Sequence, residues 1–292
     1  MKRFINRIFL FTAVIVVPLA AVIVVAKGGA LNNFPFHQKQ ITTLILGDSH
    51  TQCALNDEIL ENTLNLSESA DTYFYSYVKL KRMLEHNHHI ETLILGYAPY
   101  NITLNQDEWL QSPDINSFKL PIYFFLFDKS DVIDFIKINP TFIPSYAGTI
   151  VKRNFSHLMR IYKNEEINRF GIGGYLALDK EIGKEESKSN YKNIHDTKAR
   201  SQQDIKYLLK IYELCKKSNV KLILLSTPVL PSKNVASDPH IEYWQKNMPN
   251  ASYLDFSDLK LDMRDFADRS HLNKNGSDRF TKFLGDSKAG GQ

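Results

Sequence analysis

Three residues that stand far apart in the sequence could together carry out nucleophilic acyl chemistry. Ser49 belongs to a Gly-Asp-Ser-His tetrapeptide that directly follows the short apolar run from residue 41 to 46, and Asp268 and His271 form an Asp-x-x-His motif near the C-terminus. A serine is a poor nucleophile at neutral pH unless a base takes its proton and a carboxylate orients that base. We therefore predict that Ser49 is the nucleophile, His271 the base and Asp268 the orienting carboxylate.

Each of these three residues also has an ordinary structural use. Ser49 would serve as a helix N-cap, Asp268 as a turn or cap residue, and His271 as a solvated surface histidine. The position of Ser49 after a buried strand favours the catalytic interpretation, as does the position of the Asp-x-x-His motif between a strand and a helix. Asp48 is predicted to be structural, with its carboxylate accepting hydrogen bonds from nearby backbone N–H groups.

Short apolar runs alternate with amphipathic segments along the chain. Because the runs are too short for typical helices, the alternation predicts an α/β fold with a parallel sheet covered on both faces. In such sheets sites lie beyond the carboxyl ends of the strands, which is where Ser49 would stand. The predicted strands are 41–46, 63–66, 91–96, 219–226 and 251–256, and the predicted helices are 51–64, 73–85, 203–216 and 276–283.

The alternation breaks in the middle of the chain. Residues from about 102 to 200 are rich in aromatics and prolines, with one helix-like stretch at 131–137. We interpret this segment as an insertion into a domain that spans 31–292. The glycine-rich stretch 171–175 follows no strand and lacks dinucleotide-binding spacing, so we predict a flexible loop near the substrate.

The first thirty residues have the composition of a membrane anchor. Lys2, Arg3 and Arg7 precede an apolar run of about 19 residues, from 8 to 26, which is long enough to cross a bilayer as a helix. The cations favour a cytoplasmic N-terminus, which would place the domain outside the cytoplasmic membrane. A cleavable signal peptide is the alternative, but its apolar region is usually shorter, about 7–15 residues.

Composition excludes some function classes. The chain has 292 residues and a formal charge of +4, and no cationic block alternates with aromatics, so we predict no nucleic-acid partner. The cluster His86, His88 and His89 does not have zinc-site spacing, and we predict no metal and no other cofactor. Cys53 and Cys215 match no metal motif, and a disulfide between them is left open.

Taken together, the two motifs resemble the first and last blocks of the SGNH/GDSL hydrolase superfamily. The resemblance covers about 42–96 and 221–284, and it implies a flavodoxin-like three-layer α/β sandwich with a five-stranded parallel sheet. The segment 268–276 (DRSHLNKNG) is similar to membrane-anchored branches that act on cell-envelope polymers, namely D-alanine transfer proteins of teichoic acid and O-acetyltransferases or esterases of exopolysaccharides. These branches imply an acylated glycan or envelope polymer as substrate and a membrane acyl-donor protein as partner.

The resemblance also implies an oxyanion hole, and here the sequence departs from the family pattern. The second block lacks its glycine, so the N–H of Ser67 or Ser69 would have to replace it. In the third block Gly96 is in place, but the asparagine is displaced to Asn101. Ser49 N–H, at a helix start, would be the remaining donor. His50 resembles the histidine of acyltransferase-linked domains and would line the pocket.

Three hypotheses follow from these observations. The leading one is a membrane-anchored serine esterase or O-acyltransferase, facing outward from a bacterial-type cytoplasmic membrane, that acts on acylated envelope glycans through an acyl-serine. The alternative is a catalytically inactive protein of the same fold that binds glycan or scaffolds a polysaccharide-assembly complex. A general lipase or thioesterase is the third.

Overall fold

The computed structural model describes residues 1–33, 41–163, 172–183, 200–230 and 239–290. The chain divides into two compact units. The first comprises Met1–Phe36 and Gln111–Gly171, and the second comprises His37–Leu110 and Ile172–Gln292. All predicted catalytic residues belong to the second unit.

The second unit contains a five-stranded sheet in which every neighbouring pair is parallel, so the predicted α/β fold is confirmed. The strand order β2-β1-β3-β4-β5 is the order of flavodoxin-like doubly wound sheets. The strands are β1 (Thr43–Leu46), β2 (Thr63–Asn65), β3 (Thr92–Gly96), β4 (Lys221–Ser226) and β5 (Ser252–Asp255).

Helices connect these strands by crossovers that run in two directions. The path from β1 to β2 moves one way along the sheet, whereas the paths from β2 to β3 and from β3 to β4 move the other way. Right-handed crossovers therefore place the connecting helices on opposite faces. The packing agrees, because the helix at 73–86 contacts the helix at 202–217, and the helix at 49–54 contacts the helix at 274–290. The helices of this unit are α2 (Ser49–Ala54), α3 (Tyr73–His86), α4 (Leu104–Gln111, whose last residue belongs to the first unit), α8 (Gln202–Lys217), α9 (Pro239–Asn247) and α10 (Lys274–Gly290).

The core of this unit forms because strand residues are apolar on both faces. Ile45, Ile94 and Ile223 are aligned across three strands and belong to one buried cluster with Phe280 and Leu284 of α10. The alternate strand residues, such as Leu44 and Leu93, are also fully buried. This burial on both faces explains why the strands read as continuous apolar runs.

One predicted helix is too long. The helix predicted over 51–64 ends at Ala54, and β2 begins at Thr63. Two side chains compete with the helical hydrogen bonds, since Asn56 Oδ1 accepts from Glu58 N–H at 3.1 Å and Asp57 Oδ2 accepts from Asn65 N–H at 2.9 Å. The five strands and the helices predicted over 73–85 and 203–216 lie close to their predicted bounds, whereas the helix predicted over 276–283 extends from Lys274 to Gly290.

The first unit is helical. Its N-terminal helix contacts α7, and α5 and α6 also pack against α7. Among the residues that the structure describes, no helix meets both the length and the apolarity needed to cross a membrane. The helices are α1 (Lys2–Asn33), α5 (Pro113–Tyr123), α6 (Lys129–Ile138) and α7 (Phe142–Tyr162), and α6 contains the helix predicted at 131–137.

Candidate active site

Ser49 stands at the carboxyl edge of the sheet, where β1 ends and α2 begins. Asp48 is the N-cap of α2, and its Oδ1 accepts from His50 N–H at 3.0 Å, which is the structural role predicted for it. Strand order reverses between β1 and β3, and the crevice at such a reversal is the usual position of a site in this kind of sheet.

Two glycines let α2 approach the sheet at this point. A Cβ on Gly47 or on Gly96 would overlap the side-chain oxygen of Thr51, which lies in the first turn of α2. The predicted site residue Gly96 therefore serves close packing next to the nucleophile. Its carbonyl oxygen also accepts a hydrogen bond from the Tyr73 hydroxyl at 2.9 Å.

The structure brings Ser49, His271 and Asp268 into one hydrogen-bonded row. His271 Nε2 lies 2.8 Å from Ser49 Oγ, and His271 Nδ1 lies 2.9 Å from Asp268 Oδ2 and 3.0 Å from Oδ1. With its proton on Nδ1, the imidazole donates to the carboxylate and leaves Nε2 to accept the serine proton. The His271 and Asp268 side chains are 23 % and 29 % exposed, so the row is accessible from solvent.

The surroundings of Asp268 keep its carboxyl group ionised. Burial raises the pKa, but hydrogen bonds from the His271 ring and from the N–H groups of Ser270 and His271, with the charge of His271, outweigh burial and lower the pKa to about 2. The two N–H groups donate to Asp268 Oδ1 at 2.8 and 3.0 Å. A carboxylate fixed in this way is suited to orienting an imidazole.

A second cluster beside the row joins the loop after β3 to the start of α2. Asn101 Nδ2 donates to Asp48 Oδ2 at 2.9 Å, and Asn101 Oδ1 accepts from Ala98 N–H at 2.9 Å. The Tyr100 hydroxyl also bonds to Asp48, and burial and the charge of that carboxylate raise the pKa of Tyr100 well above its usual range. Asn101 thus comes close to the nucleophile, but its amide is directed to Asp48.

The His50 ring contacts both this cluster and the hydrogen-bonded row. Its ring centroid is 4.7 Å from that of Tyr100 and 4.9 Å from that of His271. The His50 side chain is half-buried. The His50 ring thus lies beside the His271 ring, whose Nε2 contacts Ser49 Oγ.

The two serines predicted to complete an oxyanion hole are Ser67 and Ser69. Their N–H groups both donate to side chains of the protein. Ser67 N–H donates to Asn65 Oδ1 at 2.8 Å, and Ser69 N–H donates to Gln52 Oε1 at 2.9 Å. Ser49 N–H, in contrast, has no acceptor among the described residues. The loop after β2 therefore contacts α2 through a hydrogen bond to the Gln52 side chain.

The glycine-rich stretch predicted as a flexible loop is held in place where the structure describes it, from Ile172 onward. Gly174 N–H donates to Ser67 O at 3.0 Å, and a Cβ on Gly173 would overlap the backbone of Leu66. Further along, Lys274 N–H donates to Leu178 O at 2.9 Å. Residues 172–183 thus connect the loop after β2 to the segment that follows His271.

Sequence reasoning did not identify this connection, nor the link between Asn101 and Asp48. The close pair Gly173-Gly174 was the available signal for tight backbone packing, since a glycine commonly marks such an approach. No sequence signal pairs Asn101 with Asp48, because the pairing depends on how two loops from different strands meet.

The remaining candidate groups are not part of the catalytic row. Cys53 and Cys215 are free and buried, and burial raises the pKa of both thiols to about 12. Within the described ranges, no three His, Cys, Asp or Glu side chains are grouped to hold a metal ion.

Comparison with known proteins gives a match over part of the chain. The model of an uncharacterised family matches residues 155–287, a range that includes Asp268 and His271 but not Ser49. No curated protein matches the chain.

Proposed function

We propose that the protein is a serine esterase or O-acyltransferase of SGNH type that forms an acyl-serine on Ser49. The observation that carries this proposal is the row from Ser49 Oγ through His271 to Asp268, with spacings of 2.8 and 2.9 Å. These are hydrogen-bond distances between nucleophile and base, and between base and orienting group.

The reaction would proceed in two steps, acylation and then deacylation of Ser49. Ser49 Oγ attacks the ester carbonyl carbon while His271 Nε2 takes the serine proton. Collapse of the tetrahedral intermediate breaks the ester bond, and His271 returns the proton to the departing alkoxide. Water or a hydroxyl of an acceptor then attacks the acyl-serine, giving hydrolysis or transfer respectively, and the proton returns through His271 to Ser49.

The developing oxyanion needs donors, and Ser49 N–H is the first of them. We assign the second to His50, because its ring lies beside the His271 ring that contacts Ser49 Oγ and because the N–H groups of Ser67 and Ser69 have internal acceptors. A ring N–H can donate as a backbone amide does. Asn101 would then act through Asp48 and Tyr100 as a positioning residue.

We propose envelope glycans as the substrate class and attachment to the cytoplasmic membrane through the N-terminal segment. The support is the run of apolar residues after Lys2, Arg3 and Arg7, together with the exposed apolar side chains of α1. Phe9 and Phe11, for example, are 74 % and 69 % exposed. The acyl-donor partner and the three-layer flavodoxin-like sandwich of the SGNH type belong to the same proposal.

A second candidate is a protein of the same fold that binds or scaffolds glycan without catalysis. The observation that favours it is the internal use of the Ser67, Ser69 and Asn101 donors, which leaves the oxyanion with few partners. Loss of one such donor lowers the rate by about two to three orders of magnitude.

Turnover of acetylated oligosaccharides and soluble acetyl esters separates the two candidates. The enzyme predicts acetate release that is abolished in Ser49→Ala and retained in Ser270→Ala. Ser270 is a matched control, because it adjoins the base and its contribution to Asp268 is a backbone N–H that alanine keeps. Glycan binding by wild-type protein without any turnover would contradict the catalytic proposal and favour the second candidate.

A further inference from the structure

A small polar cavity adjoins the turn between β1 and α2, directly before Ser49. Its wall includes Asp48 of that turn, Thr72 directly before α3 and Asp204 in the first turn of α8. With a volume of about 10 Å³, the cavity has room for a single water molecule. Neither Ser49 nor His271 is among the described residues that line it. The cavity is therefore not the place where an ester would meet the nucleophile.

Two buried polar atoms in the wall have no hydrogen-bond partner within the described part of the chain. They are Asp204 Oδ2 and Thr72 Oγ1, and their residues are 1 % and 2 % exposed. Thr72 is the N-cap of α3, but its side chain makes no cap hydrogen bond. Asp204 Oδ1 accepts from Tyr73 N–H instead, at 2.7 Å, which leaves Oδ2 for the cavity. Because a buried polar atom without a partner is destabilising, both atoms require a small ligand that donates and accepts hydrogen bonds.

Of three neighbouring carboxyl groups, Asp204 has the weakest support for a negative charge. Asp48 accepts hydrogen bonds on both of its oxygens, and Asp107 accepts from the Ser201 hydroxyl at 2.6 Å and from two N–H groups at the start of α8. Burial raises the pKa of Asp204 to about 8, and the charges of Asp107 and Asp48 add to this effect, against the hydrogen bond from Tyr73 N–H. Asp204 is therefore the carboxyl group that carries a proton at neutral pH.

The other ionisable groups around the cavity do not change this assignment. Asp71, which also lines the cavity, lies 2.5 Å from the buried Lys79 ammonium. Burial raises the pKa of Tyr73 and of Tyr100 well above the usual range, so both hydroxyls keep their protons. Above neutral pH, Asp204 is thus the first group of this cluster to ionise.

We propose that the cavity binds one water molecule between a protonated Asp204 carboxyl group and the Thr72 hydroxyl, and that Asp204 thereby positions the turn before Ser49. The Asp204 Oδ2–H donates to the water, and the water donates to Thr72 Oγ1 and towards Asp48. Asp48 caps α2 by accepting from His50 N–H at 3.0 Å. Ionised Asp204 would place a second negative charge against Asp48 and loosen this cap.

Stability tests the protonation, and this test needs no acyl chemistry. Asp204→Asn has the shape of the neutral acid, since its Oδ1 can accept from Tyr73 N–H and its Nδ2 can donate to the water. Because the pKa of Asp204 is about 8 in the folded protein and near 3.8 in the unfolded chain, the wild type loses stability as the pH rises from about 4 to about 8. The Tm of full-length Asp204→Asn relative to wild type should therefore rise by about 4 °C or more across this window and level off above it.

Asp258→Asn is the matched control, because Asp258 is exposed after β5 and does not line the cavity. Its Tm should run parallel to that of wild type at every pH. A Tm difference for Asp204→Asn that stays constant or shrinks as the pH rises would show that Asp204 is ionised, and it would overturn the proposal.

Two measurements test whether the ligand is water. Sodium chloride and choline chloride at equal concentration should give the same wild-type Tm, and a crystal structure should show one water within hydrogen-bond distance of Asp204 Oδ2 and Thr72 Oγ1. A higher Tm in sodium that disappears in Asp204→Asn would identify a bound cation and overturn the proposal. A cavity without solvent density would overturn it as well.

Hydrogen exchange tests the positioning role independently of the function proposed for Ser49. Amides of residues 47–54 should exchange at the same rate in wild type and Asp204→Asn at about pH 6, and about threefold faster in wild type at about pH 9. An equal ratio at both pH values would overturn the positioning role. If Ser49 is the nucleophile, kcat should diverge in the same way, whereas a lack of turnover in both proteins would contradict the proposed function and leave the exchange test valid.

Discussion

At the scale of single residues, the proposed chemistry requires a serine whose surroundings supply a base, a fixed carboxylate and a limited set of oxyanion donors. The base and the carboxylate come from one short loop, in which Asp268 and His271 are three residues apart. The donors do not follow the family pattern, since the loop after β2 uses its N–H groups for its own support. Because of this difference, replacing His50 is a direct test of the proposed oxyanion stabilisation.

Replacing His50 tests whether its ring N–H stabilises the oxyanion. His50→Phe keeps an aromatic ring beside Tyr100 and His271 but has no donor, so we expect kcat to fall by about two to three orders of magnitude with little change in KM. His50→Gln restores a donor and should recover part of kcat. Steady-state kinetics on a soluble acetyl ester gives both values, and an unchanged kcat in His50→Phe would exclude this role.

The low pKa of Asp268 makes a prediction about stability and pH. Because the pKa is about 2 in the folded protein and near its usual 3.8 in the unfolded chain, the ionised carboxylate stabilises the fold above about pH 4. That contribution is lost as the pH falls from about 4 towards 2. The Tm difference between wild type and Asp268→Asn should therefore shrink across this window. A difference that stays constant would contradict the assigned ionisation.

At the scale of elements, the site depends on how closely α2 packs against β3. Gly96→Ala places a Cβ against the Thr51 hydroxyl oxygen, and we expect a loss of about 1–3 kcal/mol in the free energy of unfolding. In the double variant with Thr51→Ala the nearest remaining atoms are 3.5 Å away, so most of this loss should be recovered. Urea denaturation of the four proteins in this cycle measures the coupling, and additive losses would show that the contact is unimportant.

A buried ion pair supports the loop between β2 and α3. Lys79 Nζ lies 2.5 Å from Asp71 Oδ2 and donates to Leu66 O at 2.6 Å, and both side chains are inaccessible to solvent. Lys79→Met removes the cation that faces this buried carboxylate, which should destabilise the protein by about 3–5 kcal/mol. Adding Asp71→Leu should restore part of that stability, although Leu66 O still lacks its donor. Thermal denaturation compares the three proteins, and a milder effect for the single variant than for the double would refute this view of the pair.

Much of the sheet could be predicted from the sequence, because strands buried on both faces are continuous apolar runs bounded by polar turns. The C-terminal end of α2 could not be predicted. It depends on the side chains of Asn56 and Asp57, which bond to residues of the following turn and of β2. The proximity of Ser49, Asp268 and His271 could be predicted because these residues follow strands whose ends meet at one edge of the sheet, and their catalytic roles stay a prediction. The link from Asn101 to Asp48 could not, because it depends on a contact between loops.

At the scale of the whole molecule, the proposal places the sheet-containing unit outside the cytoplasm. The chain suits thiol labelling, because Cys53 and Cys215 are buried and burial raises the pKa of both thiols to about 12. A cysteine introduced as Ser218→Cys, at an exposed position after α8, should react in intact cells with a membrane-impermeant maleimide. Labelling only after lysis would contradict the outward orientation, and the unsubstituted chain serves as the background control.

If Ser49 is a nucleophile activated by His271, it should react with fluorophosphonates. Covalent labelling of the full-length protein with fluorophosphonate probes of two sizes, with mass spectrometry to locate the adduct, tests this. We expect an adduct on Ser49 that disappears in Ser49→Ala and His271→Ala and persists in Ser270→Ala. Folded protein that neither probe labels, or an adduct on Ser49 that forms equally well without His271, would show that Ser49 is not activated in this way.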